Sequence, residues 1–82
     1  MVRLKADESL GQLLKRWRKS MGWSHDDAAT AVGAHQSQWT RWENDKGLPS
    51  GKHLAKIALA SEGELSLPTL IAAIESRERA AS

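Results

Sequence analysis

The sequence predicts an all-α fold, a compact domain of five helices. Apolar residues recur at helical spacing in five segments, and serines that favour helix N-caps precede two of them. Glycines follow the first, second and fourth segments, where a helix would end. No segment has the alternating pattern that is typical of a β-strand.

The composition describes one small domain. The chain has 82 residues, a formal net charge of +2 and no cysteine. A domain of this size buries only about 60–65% of its unfolded surface, so dimerisation would help to complete its core. Disulfides and thiolate metal sites are excluded. The apolar runs are shorter than the roughly 18–20 residues that cross a bilayer, and a signal peptide's apolar segment is missing. We therefore expect a cytoplasmic protein without a membrane partner.

The positive charge is concentrated at the start of the chain. Residues 1–20 carry a net charge of +4, whereas the remaining residues carry −2. This distribution fits a protein that meets phosphates on one side, and it fits a solvated basic face equally well. Residues 1–8 form a basic arm that contains Arg3 and Lys5. This arm could contact a duplex or could be a flexible solvated chain, and both interpretations remain open.

The first helix is expected to begin near Asp7 or Ser9 and to end at Gly22. Its apolar stripe, at i, i+4 and i+7 with one further turn, consists of Leu10, Leu14, Trp17 and Met21.

Residues 23–44 predict two short helices joined by a tight turn. Ser24 is a good N-cap, and Asp27 three residues later completes a capping box. Gly33 ends this second helix, because glycine readily adopts the left-handed conformation that follows a helix. The apolar face of the second helix consists of Ala28, Ala29 and Val32.

The third helix runs from about Gln36 to Asn44 and is amphipathic. Trp39 and Trp42 share one face. The opposite face carries Gln36, Ser37, Thr40, Arg41 and Asn44. A helix with an apolar inner face and an outer row of amide, hydroxyl and guanidinium groups is suited to the major groove of DNA.

Two more helices follow the turn-rich loop NDKGLPSG. Ser50 caps the fourth helix, which ends near Gly63 and whose apolar side contains Leu54, Ile57, Ala58 and Leu59. The fifth begins between Ser66 and Pro68, and its stripe consists of Leu67, Leu70, Ile71 and Ile74. Glu75 and Arg79 are spaced to pair on it. The folded domain is expected to cover residues 9–76, with residues 77–82 as a tail.

These segments resemble the lambda-repressor-like family, the Cro or phage-repressor type of helix-turn-helix domain. The resemblance covers roughly residues 9–74. It rests on LGQLLKRWRKSMGWS, SHDDAA, Gly33, TRWEN and LPS, which occur in the right order and at the right distances. It implies a transcriptional regulator that binds double-stranded DNA, most simply a homodimeric repressor of phage or plasmid type that acts on a near-palindromic operator.

The resemblance also implies which residues meet DNA. The base-contacting set is Gln36, Ser37, Thr40 and Arg41, although Arg41 could reach either a guanine or a phosphate. The backbone-contacting set is His25, His35, Gln38, Asn44, Lys46 and Lys52, with His53 a further candidate on the same side. His25 stands where the family usually has a glutamine that holds a phosphate. If a protonated His25 takes that role, binding should tighten between about pH 7.5 and 6.

Three structural roles follow from the same resemblance. Arg18 is expected to pair with Glu43 and so to tie the first helix to the third, although Arg18 could contact phosphate instead. Asp45 stands where glycine is common, and it should tolerate the left-handed turn while placing a negative charge near the DNA backbone. The four tryptophans are expected in the core rather than stacked on bases.

Other function classes fit the residues less well. Ser24, His25 and Asp26 are adjacent at the start of one helix and point in different directions, so they cannot form a catalytic triad. The three histidines have no carboxylate or cysteine at metal-ligand spacing, and neither an enzyme nor a cofactor is expected. The alternative is an antitoxin or another protein-interaction module. The fifth helix could complete the core, mate with a second copy or receive a partner, and its candidate interface residues are Leu67, Leu70, Ile71 and Ile74.

Overall fold

A computed structural model describes the backbone of residues 9–81 and the side chains of residues 9–75. It contains five α-helices: α1 (Leu10–Ser20), α2 (His25–Ala31), α3 (Gln36–Glu43), α4 (Gly51–Ala60) and α5 (Leu67–Ala81). No strand occurs in this part of the chain. The expected all-α fold with five helices is confirmed. None of these helices is both long enough and apolar enough to cross a membrane.

Two predicted features lie outside the described residues. They are the basic arm of residues 1–8 and the side chain of Arg79, which was expected to pair with Glu75. At the other end, helical backbone continues to Ala81, past residue 76 where the sequence placed the end of the domain.

The first two helices begin with reciprocal caps. The Ser9 hydroxyl accepts the Gln12 N–H at 3.2 Å, and the Gln12 side-chain oxygen accepts the Ser9 N–H at 3.0 Å. In α2 the Ser24 hydroxyl accepts the Asp27 N–H at 3.1 Å, and the Asp27 carboxylate accepts the Ser24 N–H at 3.0 Å. Each cap satisfies two N–H groups that the first turn leaves without a helical partner.

The turn between α2 and α3 depends on Gly33. This residue has a φ of +71°, in the left-handed region. Its N–H donates to the Thr30 carbonyl at 3.2 Å, and the Ala34 N–H donates to the Ala29 carbonyl at 2.8 Å. These two bonds form a Schellman motif, which closes α2 and redirects the chain into α3.

Tryptophan rings form the centre of the core. Trp17 and Trp39 are 1% and 0% exposed, and their ring centroids lie 6.2 Å apart. Trp23 packs edge-on against Trp17 at 5.3 Å, and Trp42 packs edge-on against Trp39 at 5.9 Å. The predicted core role is confirmed for Trp17, Trp39 and Trp42, whereas Trp23 is partly buried and packs against the core. Around them, α3 packs against α1 and α2, while α5 packs against α1 and α4.

The apolar stripes predicted burial less accurately at the ends and flanks of the helices. Met21 is 46% exposed because it lies past the end of α1, at the rim of the core. Leu59 is 78% exposed, because it lies two residues after the buried Ile57 and therefore on nearly the opposite side of the helix.

In α5 the buried face is rotated from the predicted one. Leu70 and Ala73 are fully buried and Ile74 is partly buried, whereas Leu67 and Ile71 are 42% and 48% exposed. Leu70 therefore completes the core of the monomer and offers no surface to a second copy. Of the four candidate interface residues, Leu67 and Ile71 are the most exposed.

Candidate nucleic-acid interface

The outer face of α3 is polar and accessible, while its inner face is anchored. Trp39 and Trp42 hold the helix to the core with 0% and 5% of their surfaces exposed. On the other side Gln36 and Ser37 are exposed and Thr40 is half-buried. Because the two tryptophans fix the rotation of α3 about its axis, the direction in which the polar row points is fixed as well.

The N-terminus of α3 is closed by Gln38. Its side-chain oxygen accepts the N–H of the N-cap residue His35 at 2.9 Å. The oxygen of Gln38 is thus used by the helix itself, and its NH₂ group is the part that can donate to a ligand. His35 and Gln38 are both exposed.

Glu43 joins three helices through one buried carboxylate. The Arg18 Nε donates to Glu43 Oε2 at 2.6 Å, and Arg18 Nη2 donates to Oε1 at 3.3 Å. Within α3, the indole N–H of Trp39 donates to the same carboxylate. The side chains of Arg18 and Glu43 are only 11% and 5% exposed. The expected pairing of Arg18 with Glu43 is thus present in the structure.

Arg18 and His25 extend this network to the start of α2. Arg18 Nη1 donates to the Trp23 carbonyl at 2.9 Å, which fixes the segment between α1 and α2. His25, the first residue of α2, has its Nε2 3.4 Å from Glu43 Oε1 and keeps 38% of its side chain exposed. The candidate phosphate-binding imidazole therefore lies beside the carboxylate that orients α3. The hydrogen bond from Trp39 to Glu43 was not predicted from the sequence, although the i, i+4 spacing of the two residues was visible there.

The C-terminus of α3 is also closed by a Schellman motif. Asp45 adopts a φ of +56°, so aspartate does accept the left-handed turn that was predicted for it. The Asp45 N–H donates to the Trp42 carbonyl at 3.2 Å, and the Lys46 N–H donates to the Arg41 carbonyl at 2.9 Å. Asn44, the C-cap residue, and Lys46 are exposed beside this turn.

The carboxylate of Asp45 is bonded to the start of α1, which the sequence interpretation did not foresee. It accepts the Ser9 hydroxyl at 2.7 Å and the Gly11 N–H at 3.0 Å. A negative charge near the DNA backbone was expected here, but the structure uses that charge to satisfy the first turn of α1.

Gly11 allows the two segments to come this close. A Cβ on Gly11 would lie 2.6 Å from the carbonyl oxygens of both Trp42 and Glu43, and 2.7 Å from Asp45 Oδ1. The sequence signal for this contact was a glycine inside a helical pattern, because such a glycine often marks a close approach of two segments.

Two further candidates lie on α4. Lys52 is the second residue of the helix and is exposed. His53 packs its ring on Trp42 with centroids 5.1 Å apart, and its Nδ1 lies 3.0 Å from the Ser50 hydroxyl. His53 thus helps to hold α4 against α3, whereas Lys52 is the accessible cation at this end.

Comparison with known proteins identifies a family for this chain. A family model described as a helix-turn-helix domain matches residues 9–61, which span α1 to α4 and the first residue after them. No curated protein and no solved structure gives a significant match. Because that model covers more than half of the sequence, the chain belongs to the helix-turn-helix domain family.

Proposed function

We propose that the protein is a sequence-specific transcriptional regulator of the lambda-repressor-like type, which places α3 in the major groove of double-stranded DNA. One observation carries the proposal: α3 turns Gln36, Ser37 and Thr40 outward while Trp39 and Trp42 are buried beneath them. A recognition helix needs a fixed rotation, and this one has it. DNA as the partner implies a cytoplasmic location.

The outer row has the chemistry of base recognition. The amide of Gln36 matches the donor and acceptor that adenine presents at N6 and N7. The hydroxyl of Ser37 can donate or accept and discriminates less, and the methyl group of Thr40 can contact a thymine methyl. These side chains lie in the first turn and a half of α3, where recognition helices commonly meet base edges.

The surrounding polar residues would grip the phosphates on either side. At the N-terminal ends of α2 and α3 these are His25, His35 and Gln38. At the other end of α3 they are Asn44, Lys46 and Lys52. Contacts of this kind fix the position of a protein on a duplex and make binding salt-dependent, but they do not read sequence directly.

We propose further that the regulator is a homodimeric repressor of its own or a neighbouring promoter. A domain of this size gains stability from a partner. Leu67 and Ile71 supply apolar surface on α5 at 42% and 48% exposure. A two-fold dimer would bind a near-palindrome whose half-sites lie about one helical turn apart.

The test is selection from a randomised duplex pool by the purified protein, followed by sequencing of the retained DNA. Recovery of two matched half-sites in inverted orientation is the expected result. A single half-site would remove the dimer and keep sequence recognition. Retention without an enriched sequence would contradict the proposal.

A second candidate function is that of an antitoxin or another protein-interaction module. The observation in its favour is Leu59, which is 78% exposed at the edge of an open groove of about 480 Å³. The groove is lined by Thr30, Ala31, Gly33, Lys56, Leu59 and Ala60. Failure to retain any duplex at moderate salt would favour this function over the first.

A further inference from the structure

Arg41 is bound to the loop that follows α3 rather than projecting freely from the helix. Its Nη2 donates to the Lys46 carbonyl at 3.1 Å, and the Lys46 N–H donates to the Arg41 carbonyl at 2.9 Å. A Cβ on Gly47 would lie 3.8 Å from Arg41 Nε and 3.9 Å from Nη2. The guanidinium group therefore lies along the backbone of residues 46–47.

In this position the positive charge of Arg41 lies near the C-terminal end of α3. Gln36 and Ser37 lie at the opposite end, on the first turn that would meet the bases. An arginine that reads guanine must aim two N–H groups at O6 and N7 on the floor of the groove. The bond to Lys46 instead directs the side chain towards the rim.

The chemistry at the rim is that of a phosphate site. Arg41 is exposed, and one hydrogen bond to a carbonyl leaves most of the five N–H donors of a guanidinium for a ligand. Lys46, whose carbonyl holds Arg41, is itself an exposed cationic residue. Planar guanidinium groups match the oxygens of a phosphate.

We propose that Arg41 binds a backbone phosphate of the DNA and positions α3, so that base reading is confined to Gln36, Ser37 and Thr40. This inference rests on the proposed function, and it resolves the choice between guanine and phosphate that the sequence left open. Its consequence is that Arg41 contributes to affinity for every duplex and does not contribute to the preference for one.

The experiment compares the unsubstituted protein with Arg41→Ala and Arg41→Lys. Each is passed through the randomised duplex pool, and each is then titrated by fluorescence anisotropy against the recovered site and a scrambled duplex over a range of salt. Gln36→Ala is the control for loss of base reading. Thermal melting of each variant checks that the exposed substitution leaves the fold intact.

For Arg41→Ala we expect the same enriched sequence and the same fractional loss of affinity on both duplexes. The loss should be about fivefold at 0.15 M salt, and the slope of log K against log salt should fall by about 1, as for one phosphate contact. Arg41→Lys should recover most of the affinity, because an ammonium also binds phosphate.

Two results would overturn the inference, and they are distinguishable. If the unsubstituted protein enriches a sequence and either Arg41 variant relaxes or changes one of its base pairs, Arg41 reads a base and only this inference fails. If the unsubstituted protein binds neither duplex, the proposed function fails and this inference fails with it.

Discussion

At the scale of single residues, the fold depends on an approach that leaves no room for a side chain. Gly11 lies in the first turn of α1 with the carbonyl oxygens of Trp42 and Glu43 both 2.6 Å from where its Cβ would be. Backbone atoms cannot rotate away as a flexible side chain can. Gly11 therefore sets how closely α1 lies to the end of α3, which is the helix that carries the candidate interface.

Gly11→Ala should destabilise the protein by about 2 kcal/mol, since overpacking against backbone outweighs the better helix propensity of alanine. The measurement is urea unfolding followed by tryptophan fluorescence. Gly51→Ala is the matched control, because a Cβ on this first residue of α4 would have no neighbour within 4 Å. Equal midpoints for the two variants would contradict the close approach.

The buried ion pair gives a second prediction at this scale. Arg18→Met leaves the Glu43 carboxylate buried without its cation, so it should lower the free energy of unfolding by about 3 kcal/mol. The double variant Arg18→Met with Glu43→Gln should be less destabilised, because the amide still accepts from Trp39 and carries no charge.

Lys19→Ala serves as the control for this pair, since Lys19 is an exposed neighbour on α1. Chemical denaturation of all the variants measures the effect. If Arg18→Met lowered the free energy of unfolding no more than Lys19→Ala does, the ion pair would have no role in holding α1 to α3.

At the scale of elements, local signals predicted the helices well and tertiary contacts poorly. Ser24 with Asp27 at the start of α2, and Gly33 at its end, act through hydrogen bonds within a few residues, so the sequence was sufficient. Asp45 was different: its left-handed backbone was predictable, but its bonds to Ser9 and Gly11 join positions more than thirty residues apart. No local pattern reports such a contact.

Asp45 therefore has two roles that substitutions can separate. Asp45→Ala loses the acceptors for α1 and strains the left-handed turn, and it should cost about 2 kcal/mol. Asp45→Gly relieves the turn and loses only the acceptors. Asp45→Asn keeps an oxygen for Gly11 and should be the mildest of the three.

Thermal melting should rank the three variants in that order of decreasing damage. If Asp45→Asn were as stable as the original protein and Asp45→Gly more stable, the carboxylate would contribute nothing at the start of α1. The conformational preference at φ +56° would then be the whole of its role.

At the scale of the whole molecule, the sequence predicted the domain and the inner and outer sides of α3, because both follow from helical periodicity. It did not predict which flanking apolar residues are exposed. Leu59 and Ile71 are 78% and 48% exposed although both were assigned to apolar stripes. Their exposure depends on how α4 and α5 are rotated against the core, and a short stripe of mixed residues leaves that rotation open.

The site follows from the same arrangement. Arg18 on α1, His25 on α2 and Trp39 on α3 all converge on one carboxylate, that of Glu43. Helix α1 is thereby held as one unit with α2 and α3, the two helices that would carry most of the DNA contacts. The outward row on α3 is rigid because of what lies beneath it, and rigidity is what allows a few side chains to discriminate between bases.

Base reading by the outward row of α3 is tested by the affinity of Gln36→Ala for the selected site and for a scrambled duplex. Thr30→Ala, an exposed substitution beside the groove on α2, is the control. Gln36→Ala should lose about 1–3 kcal/mol of binding free energy at the selected site and almost nothing on the scrambled duplex. An equal loss on both duplexes, or no loss on either, would contradict base reading by this row.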